Sequence, residues 1–307
     1  MTLISVITPH YNYGFYLKEA LDSILNTNQS DAFEIIIVDD GSTDHSHAIL
    51  QAYKQDPRLR TFYQTSNRGI AATVNFAVRQ AKGEFLHFFA SDDLHQPGTL
   101  DIIVEKIRQF PEVSLFSADY TTFDESGFIQ SQRFLPSQSF TYFTPQQVKS
   151  LLRHTHFWLP GHTLFIKKSV NLPYDNSLGP ACDWLNNHTL ALENGVGYLP
   201  QTLVKVRLHP RAYSLNPSLL VRRTMWFQLL DTFANHPEKY HDLIQSGICR
   251  MLGLKAIYLD LLKKPSYWKY LFPMLTRECE KQCFNLLGIN REAFWLRHLH
   301  LESPSAN

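Results

Sequence analysis

The sequence lacks a pronounced net charge, since 29 Lys and Arg residues against 28 Asp and Glu residues give +1 at neutral pH. Proteins that bind nucleic acid through bulk electrostatics are usually clearly basic, so this balance argues against nucleic acid as a partner. No apolar run approaches the roughly 18 residues that cross a bilayer, and the first residues do not follow the pattern of a secretory signal peptide. We therefore expect a cytoplasmic protein.

Cysteines are few, and their spacing fits no zinc motif. The four are Cys182, Cys249, Cys279 and Cys283. Only the last two lie close together, and neither a second pair nor a histidine cluster completes a metal site. We interpret all four as reduced thiols of a cytosolic protein. A G-x-G-x-x-G turn is also missing after the first apolar segment, which argues against a dinucleotide-dependent oxidoreductase on a Rossmann sheet.

Apolar segments of strand length alternate with amphipathic segments of helical period over the first 118 residues. The predicted strands cover residues 3–8, 33–38, 59–64, 84–90 and 113–118. The predicted helices cover about 15–25, the segment after 42, 69–82 and 97–109. Strands that are apolar throughout and alternate with helices predict an α/β fold, with a mainly parallel sheet flanked by helices on both faces.

The pattern is less regular beyond residue 120. Helices are predicted near 145–153 and 181–193, with strands at 161–168 and near 196–206. Successive amphipathic helices follow from Pro217, and their aromatic residues stand among Lys and Arg. These aromatic residues are Trp226, Phe227, Tyr258, Trp268, Tyr270, Phe272 and Trp295. Their apolar faces fit packing on the sheet domain, docking to a membrane surface or homo-oligomerisation, and all three roles stay open here.

Polar clusters follow the predicted strands at the points where the strands end. These clusters are 9–12, 39–42, 67–69 and 91–93. Ligands of open α/β sheets bind at the carboxyl ends of the strands, so four clusters at one edge predict a binding site. Each cluster alone also fits a helix cap, because Asp, Ser and Thr favour that position.

Two adjacent carboxylates, Asp92 and Asp93, form the last of these clusters. Like charges this close repel unless a proton or a cation intervenes. Carboxylate oxygens suit Mg²⁺ or Mn²⁺, which proteins often share with substrate phosphates. The alternative for this pair is a cap for the helix that follows Pro97.

Three segments in succession resemble the signatures of family 2 glycosyltransferases, which have the GT-A fold, a Rossmann-like sheet. The segments are SVITPHYN, VDDGSTD and NRGIAATVNFAVRQAKGEFLHFFASDDLHQP. LPGHTLFIKKSV and ACDWLNNHTLALENGVGYLPQTLVKVRLHP continue the resemblance more weakly. It covers residues 1–215 and implies a nucleotide-binding half at about 1–119 and an acceptor half at about 120–215. Residues 216–307 would form a helical C-terminal extension.

The resemblance implies roles for the residues at the predicted edge. Pro9 and Tyr11 would line the nucleotide pocket, and Asp39 and Asp40 would hold the base and ribose. Arg68 would lie near the nucleotide or its phosphates. In the acidic turn, Asp92 would reach the ribose, and Asp92 with Asp93 would bind Mn²⁺ or Mg²⁺.

The resemblance also implies catalytic and acceptor-side residues. Asp183 would be the general base, and Trp184 beside it would stack on an acceptor sugar. Arg207 and His209 would contact the leaving diphosphate or a closing loop. Two positions depart from the family pattern, since Ala90 and Cys182 stand where acidic residues are common, which puts the strength of metal binding and the base in doubt.

The function implied is inverting transfer of a sugar from a nucleotide diphosphate sugar, with UDP the expected carrier, to a hydroxyl acceptor. Polysaccharide or glycoconjugate biosynthesis is the expected setting. The acceptor would be a saccharide or a lipid-linked saccharide, and the latter would bring the protein to the inner face of the membrane. The alternative is a non-catalytic relative that binds a nucleotide sugar without turning it over.

Overall fold

The computed structural model of the protein describes residues 2–28, 30–133, 135, 137–155, 157–179, 181–212, 219–246, 263, 265–291 and 295. The strands in this part of the chain are β1 (Ile4–His10), β2 (Phe33–Asp39), β3 (Leu59–Tyr63), β4 (Phe85–Phe88), β5 (Leu94–His95), β6 (Leu115–Phe123), β7 (Ile129–Gln132), β8 (Thr141–Phe143), β9 (Phe165–Lys167) and β10 (Val196–Arg207). The α-helices are α1 (Gly14–Leu25), α2 (Ser46–Ala52), α3 (Ile70–Gln80), α4 (Thr99–Gln109), α5 (Pro145–His154), α6 (Ala181–Asn194), α7 (Leu219–Asn235), α8 (His241–Gln245) and α9 (Trp268–Leu286).

The strands form one mixed sheet in the order β3-β2-β1-β4-β9-β6-β10-β5, with β7 paired to β6 and β8 paired to β10. Parallel pairing joins β1 to β2 and β4, β2 to β3, and β6 to β10. The short strands β5, β7, β8 and β9 add antiparallel pairs. The predicted α/β class and GT-A architecture are confirmed, and most paired positions are parallel.

Alternate residues of the central strands supply two cores, one on each face of the sheet. In β2, Ile36 and Val38 pack with α3, α5, α6 and α7. Ile35 and Ile37 point to the other face and pack with α1 and α4. Because both faces are covered, β1 and β2 are buried almost throughout, and the edge at their carboxyl ends is left for polar groups.

The alternation predicted over residues 3–118 is confirmed, but several later strands differ from expectation. The expected strand at 161–168 begins with a 3₁₀ turn, Gly161–Thr163, and only Phe165–Lys167 is a strand. The strands β7 and β8 lie in the segment that showed no pattern. β7 is polar and exposed and pairs with β6 alone, so it carries no apolar alternation to read.

The C-terminal helices pack on the sheet domain through a shared core. In α7, Leu229, Leu230 and Phe233 belong to the same buried cluster as the sheet. Arg277 of α9 is buried and donates to the backbone carbonyls of Leu152, Thr155 and Ser246, which ties α9 to α5 and α8. The predicted boundary at residue 215 falls outside the described residues, so the division into domains stays a prediction.

The aromatic residues of these helices divide into buried and exposed groups. Trp226 and Tyr270 are buried, whereas Trp268 and Phe272 are exposed, and Tyr258 lies outside the described residues. Within the part of the chain that the structure describes, no helix is long and apolar enough to span a membrane. Contact with a membrane surface and homo-oligomerisation stay predictions.

Candidate active site

Hydrogen bonds join the polar turn after β1 to the polar turn after β2, at the carboxyl ends of these strands. The last residues of β1 and β2, His10 and Asp39, pair with each other, so the two strands end side by side in the sheet. The Asn12 N–H donates to Ser42 Oγ over 2.9 Å, and Asn12 Oδ1 accepts from the Thr43 N–H over 2.8 Å. Asn12 has a φ of 55°, a left-handed conformation that Asn tolerates better than most residues. These bonds hold the strained turn in place.

The third polar cluster is held against the second by Asp40. One Asp40 oxygen accepts from the Arg68 N–H over 2.8 Å, and the other accepts from the Gly69 N–H over 2.9 Å. Asp40 is only 4% exposed, whereas the Arg68 side chain is exposed. Asp40 therefore fixes the backbone at Arg68, whose side chain is exposed near the carboxyl ends of the strands. Because a carboxylate oxygen accepts more than one hydrogen bond, a contact of Asp40 with base or ribose stays a prediction.

Asp39, Pro9 and Tyr11 complete the predicted nucleotide side. Asp39 is buried, with Oδ1 accepting from the Ser42 N–H over 2.9 Å and Oδ2 lying 3.1 Å from His47 Nε2. Pro9 is half-buried, and Tyr11 is 42% exposed. An exposed aromatic ring beside a polar turn is suited to contact a planar base, and the roles of all three residues stay predictions.

Gly41 is required at the turn after β2 by both its backbone conformation and its surroundings. Its φ is +76°, and a Cβ built there would lie 2.9 Å from backbone atoms of Ser66. We expect Gly41→Ala to lower the free energy of unfolding by about 1–3 kcal/mol more than Gly98→Ala does. Gly98 is a matched control, because its φ is +77° and a Cβ there meets nothing within 4 Å. Urea denaturation measures the difference, and equal losses would contradict the steric argument.

A buried chain of hydrogen bonds connects the first turn to the acidic turn. His10 Nε2 lies 2.7 Å from Ser46 Oγ, and His10 Nδ1 lies 2.9 Å from Ser91 Oγ. Ser46 donates to the Asp44 carboxylate. Because the Ser46 hydroxyl has donated its proton there, it accepts from His10 Nε2–H, and Nδ1 accepts from Ser91. Burial lowers the pKa of His10, so this neutral form persists at physiological pH.

The acidic turn buries two adjacent carboxylates. Asp92 and Asp93 are both nearly inaccessible to solvent. Asp93 Oδ1 accepts from the Arg207 N–H over 2.9 Å, and Asp92 Oδ2 lies 2.9 Å from His209 Nε2. Burial, together with the charge of Asp92, raises the pKa of Asp93 well above its ordinary value. The pair is therefore poorly neutralised by the side chains around it.

The last strand holds the acidic turn from the other side through Arg207 and His209. Arg207 Nε donates to the Asp92 carbonyl over 2.9 Å, and its Nη2 donates to Glu19. The His209 ring packs 4.7 Å from the ring of Tyr16, centroid to centroid. Both residues thus position the acidic turn, and their predicted contact with a diphosphate or a closing loop stays a prediction.

The donor set at the acidic turn fits a hard divalent cation. Asp92 and Asp93 supply carboxylate oxygens, which are the ligands that such cations prefer, and burial together with the charge of Asp92 raises the pKa of Asp93. Among the described residues, no group of three or more His, Cys, Asp and Glu side chains is arranged to hold a metal ion. A cation here would therefore take further ligands from water and from substrate phosphates, as Mg²⁺ commonly does.

A cleft of about 610 Å³ opens beside this turn. Its walls come from the start of α1, the turn before α2 and the segment after β10, including Asn12, Asp44, His209 and Arg211. The volume lies within the range that small-molecule sites occupy. The cleft reaches the acidic turn only through His209, which contacts Asp92, and neither Asp92, Asp93 nor Arg68 lines it.

Asp183 lies in the first turn of α6, with its carboxylate against Gly161. A Cβ at Gly161 would lie 3.2 Å from Asp183 Oδ2, so the glycine leaves room at this oxygen. Asp183 Oδ1 accepts from the Trp184 N–H over 2.6 Å. Burial raises the pKa of Asp183 to about 6. A carboxylate with a pKa near the working pH is suited to act as a general base.

The predicted stacking role of Trp184 does not fit its position. Trp184 is 3% exposed and packs against His188, with ring centroids 4.8 Å apart. The apolar ring lies in the core because α6 is buried along most of its length. Trp158, which is only partly buried, lies next to it, at 6.3 Å between ring centroids. Trp184 thus supports α6 from inside.

Contacts connect the acidic turn to Asp183 across the sheet. The charge of Asp93 contributes to raising the pKa of Tyr120, after burial. The Tyr120 ring lies 4.3 Å from the His162 ring, centroid to centroid, and His162 follows Gly161 in the chain. Because Gly161 contacts Asp183, the predicted metal ligands and the predicted base border one region of the molecule.

Sequence reasoning missed the hydrogen bonds that join the first polar turn to α2. His10 stands in the first polar cluster, but its partner Ser46 lies 36 residues away. Neither the histidine nor the serine carries a local signal of that contact.

Part of the chain is similar to curated glycosyltransferases. Glycosyltransferase GlyG of Streptococcus pneumoniae is 36% identical over 125 residues, which cover 40% of this chain and 41% of the relative. TuaG of Bacillus subtilis, a putative teichuronic acid biosynthesis glycosyltransferase, is 35% identical over 130 residues, which cover 40% of this chain and 51% of the relative. The matched region thus spans about half or less of these relatives' length.

The fold is similar to that of TarS from S. aureus, solved as residues 1–349 in complex with UDP-GlcNAc. The TM-score is 0.66 at 20% identity, and the match covers 88% of this chain and 80% of TarS 1–349. The sequence profile named Glycosyl transferase family 2 matches residues 5–171, which is more than half of the chain. The chain belongs to glycosyl transferase family 2.

Proposed function

We propose that this glycosyltransferase moves a sugar from a UDP-linked donor to a hydroxyl acceptor, with inversion at the anomeric carbon. The observation that carries the proposal is the buried Asp92–Asp93 pair at an edge where four polar turns meet. A cation would relieve the repulsion between carboxylates so placed, and a nucleotide diphosphate brings oxygens that share one. The complex of TarS with UDP-GlcNAc supports UDP as the carrier.

The donor is bound and oriented by the chain's own residues at this edge. Arg68 is exposed and positively charged, and Asp40 fixes the backbone on which it stands. Tyr11 offers its ring to the base. Asp92 and Asp93 would hold Mn²⁺ or Mg²⁺, and when bound the cation supplies electrostatic stabilisation of the departing diphosphate.

The acceptor hydroxyl is a poor nucleophile, so the proposal assigns Asp183 as the base that takes its proton. The pKa of about 6 leaves the carboxylate ionised at neutral pH and still basic enough to accept a proton. A single base that activates the acceptor on the face opposite the diphosphate leads to direct displacement and inversion. A non-catalytic relative, which would bind the nucleotide sugar without turning it over, stays the alternative, and the two differ in whether replacing Asp183 changes turnover.

The acceptor proposed is a saccharide hydroxyl in polysaccharide or glycoconjugate assembly. TuaG is described as a putative teichuronic acid biosynthesis glycosyltransferase. A chondroitin synthase of Escherichia coli is 28% identical over 185 residues, which cover 59% of this chain and 25% of the synthase. Both names concern the assembly of polymers that contain sugars, and they motivate the same setting here.

UDP release from a panel of UDP-sugars, with Mn²⁺ and candidate glycoside acceptors, tests the proposed function. We expect one UDP-sugar to be turned over above the background without protein, and an NMR spectrum of the product to show inversion. No release from any UDP-sugar by folded protein, with GDP- and dTDP-sugars equally inert, would contradict it.

The rate of transfer should depend on pH through Asp183. Because burial raises the pKa of Asp183 to about 6, the basic form is lost as the pH falls through that value. At saturating donor and Mn²⁺, we expect kcat to be flat above about pH 7 and to fall about tenfold per pH unit well below 6. A stopped assay of transfer between pH 5 and 8 measures this dependence of kcat on pH. A kcat that stays constant down to pH 5 would remove Asp183 as the base.

A further inference from the structure

Asn187 lies one helical turn after Asp183 on the same face of α6, where both side chains approach Gly161. A Cβ at Gly161 would lie 3.2 Å from Asp183 Oδ2 and 3.5 Å from Asn187 Nδ2. The carboxylate oxygen and the amide nitrogen therefore point to the same place. A side chain at position 161 would press against both atoms, so the glycine allows this close approach.

The Asn187 amide is buried without a hydrogen-bond partner. The residue is 1% exposed, and Nδ2 finds no acceptor among the described residues. Buried amide groups in folded proteins are nearly always paired, because an unpaired donor destabilises the fold. An orphan donor beside a proposed base therefore indicates a group that is supplied from outside the chain.

Two other asparagines of α6 show how such side chains are normally satisfied. Asn186 Nδ2 donates to the backbone carbonyls of Leu172 and Pro173, at 3.3 and 3.2 Å. Asn194 Nδ2 donates to the Leu190 carbonyl over 3.0 Å. Both have clear structural roles. Asn187, the most buried of the three, lacks one.

We propose that Asn187 Nδ2 donates a hydrogen bond to a sugar oxygen of the substrate bound at Asp183, which makes Asn187 a specificity-determining residue. The inference rests on the proposed function and deepens it. Hydroxyl and ring oxygens of a saccharide are acceptors of the required kind. A sugar held by Asn187 has its neighbouring hydroxyl oriented toward the carboxylate, and such orientation accelerates the reaction.

The sugar oxygen could belong to the acceptor or to the donor, and one experiment separates the two. In the presence of Mn²⁺, UDP-GlcNAc is assayed both for hydrolysis without an acceptor and for transfer to a panel of p-nitrophenyl glycosides. Wild type, Asn187→Leu, Asn187→Ala and Asn186→Leu are compared, together with UDP affinity and the melting temperature. Asn187→Leu keeps the approximate shape of the side chain and removes the unpaired donor. Asn187→Ala is a second variant without the donor, and it is used in case the leucine side chain does not fit.

We expect both Asn187 variants to lose about tenfold or more in kcat/KM for transfer, the cost of one hydrogen bond. UDP affinity should not change, and the melting temperature should fall less for Asn187→Leu than for Asn186→Leu, since Asn187 Nδ2 has no hydrogen bond to lose. Asn186→Leu should show the reverse, a lower melting temperature with unchanged kcat/KM. Hydrolysis that falls in parallel with transfer assigns the oxygen to the donor sugar, and unchanged hydrolysis assigns it to the acceptor.

Wild-type kcat/KM in both Asn187 variants would overturn the inference and leave the proposed function intact. A loss of kcat/KM that accompanies a fall in melting temperature as large as that of Asn186→Leu would also overturn it, because Asn187 would then be structural. An absence of turnover in the wild-type protein with every UDP-sugar would instead contradict the proposed function, and with it the inference.

Discussion

Asp183→Asn should lower kcat for sugar transfer by about 10²–10⁴-fold, the usual contribution of a positioned general base. Asn keeps the size of the side chain and its Oδ1, which can still accept from the Trp184 N–H. It cannot take a proton from the acceptor hydroxyl. The affinity for UDP should not change, because the proposed contacts with the nucleotide are made by the polar turns and the acidic turn and not by Asp183. Single-turnover assays with calorimetry of UDP separate the two effects.

The control for this variant is Asp175→Asn. Asp175 is an exposed carboxylate shortly before α6 that accepts from the Ser177 N–H. Its loss should leave kcat unchanged. If Asp183→Asn retained wild-type kcat, or if both variants lost activity equally, Asp183 would not be the base. The non-catalytic alternative would then become the better account of the chain.

Asp93→Asn should abolish the response to Mn²⁺ and lower transfer by about 10²-fold or more, the scale of electrostatic stabilisation at a leaving group. It should also stabilise the protein in EDTA. The folded-state pKa of Asp93 is raised above the unfolded value, so stability is lost as the pH rises through the folded pKa. Asn carries no charge at any pH and can still accept from the Arg207 N–H, which removes this penalty at neutral pH.

Thermal unfolding with EDTA and with Mn²⁺ checks this pair of effects, and Asp119→Asn serves as the control. Asp119 is also buried in the sheet, but it accepts from the Tyr198 hydroxyl and has no place in the acidic turn. Its variant should melt at a lower temperature and keep the response to Mn²⁺. If Asp93→Asn melted lower in EDTA and kept its Mn²⁺ response, Asp93 would be structural and not a metal ligand.

The first half of the fold could be predicted from the sequence because its pattern is local. β1 and β2 are apolar runs that stop at polar turns, and α1 buries Leu17, Leu21 and Ile24 at helical spacing. The burial of these elements depends on their own residues. The meeting of the polar turns at one edge followed from the general rule for parallel strands.

The later strands and the contacts between turns could not be predicted, because they depend on distant partners. β5 has two residues, and it exists only because Leu94 and His95 pair with β10, more than a hundred positions away. Trp184 looked like a stacking residue beside the base, and its burial is decided by neighbours on other elements. The hydrogen bonds by which Arg207 holds the acidic turn join positions more than a hundred residues apart, and its predicted contact with the diphosphate or a closing loop stays a prediction.

The most direct test of the central claim is calorimetric titration of the protein with UDP, GDP and dTDP, each with Mn²⁺ and with EDTA. If the carboxyl edge of the sheet is a metal-dependent donor site for a UDP-sugar, UDP should bind most tightly. Its affinity should then drop on removal of Mn²⁺ and in Asp93→Asn. If none of the three nucleotides binds the folded protein under either condition, the edge is not a donor site, and the proposed function is contradicted.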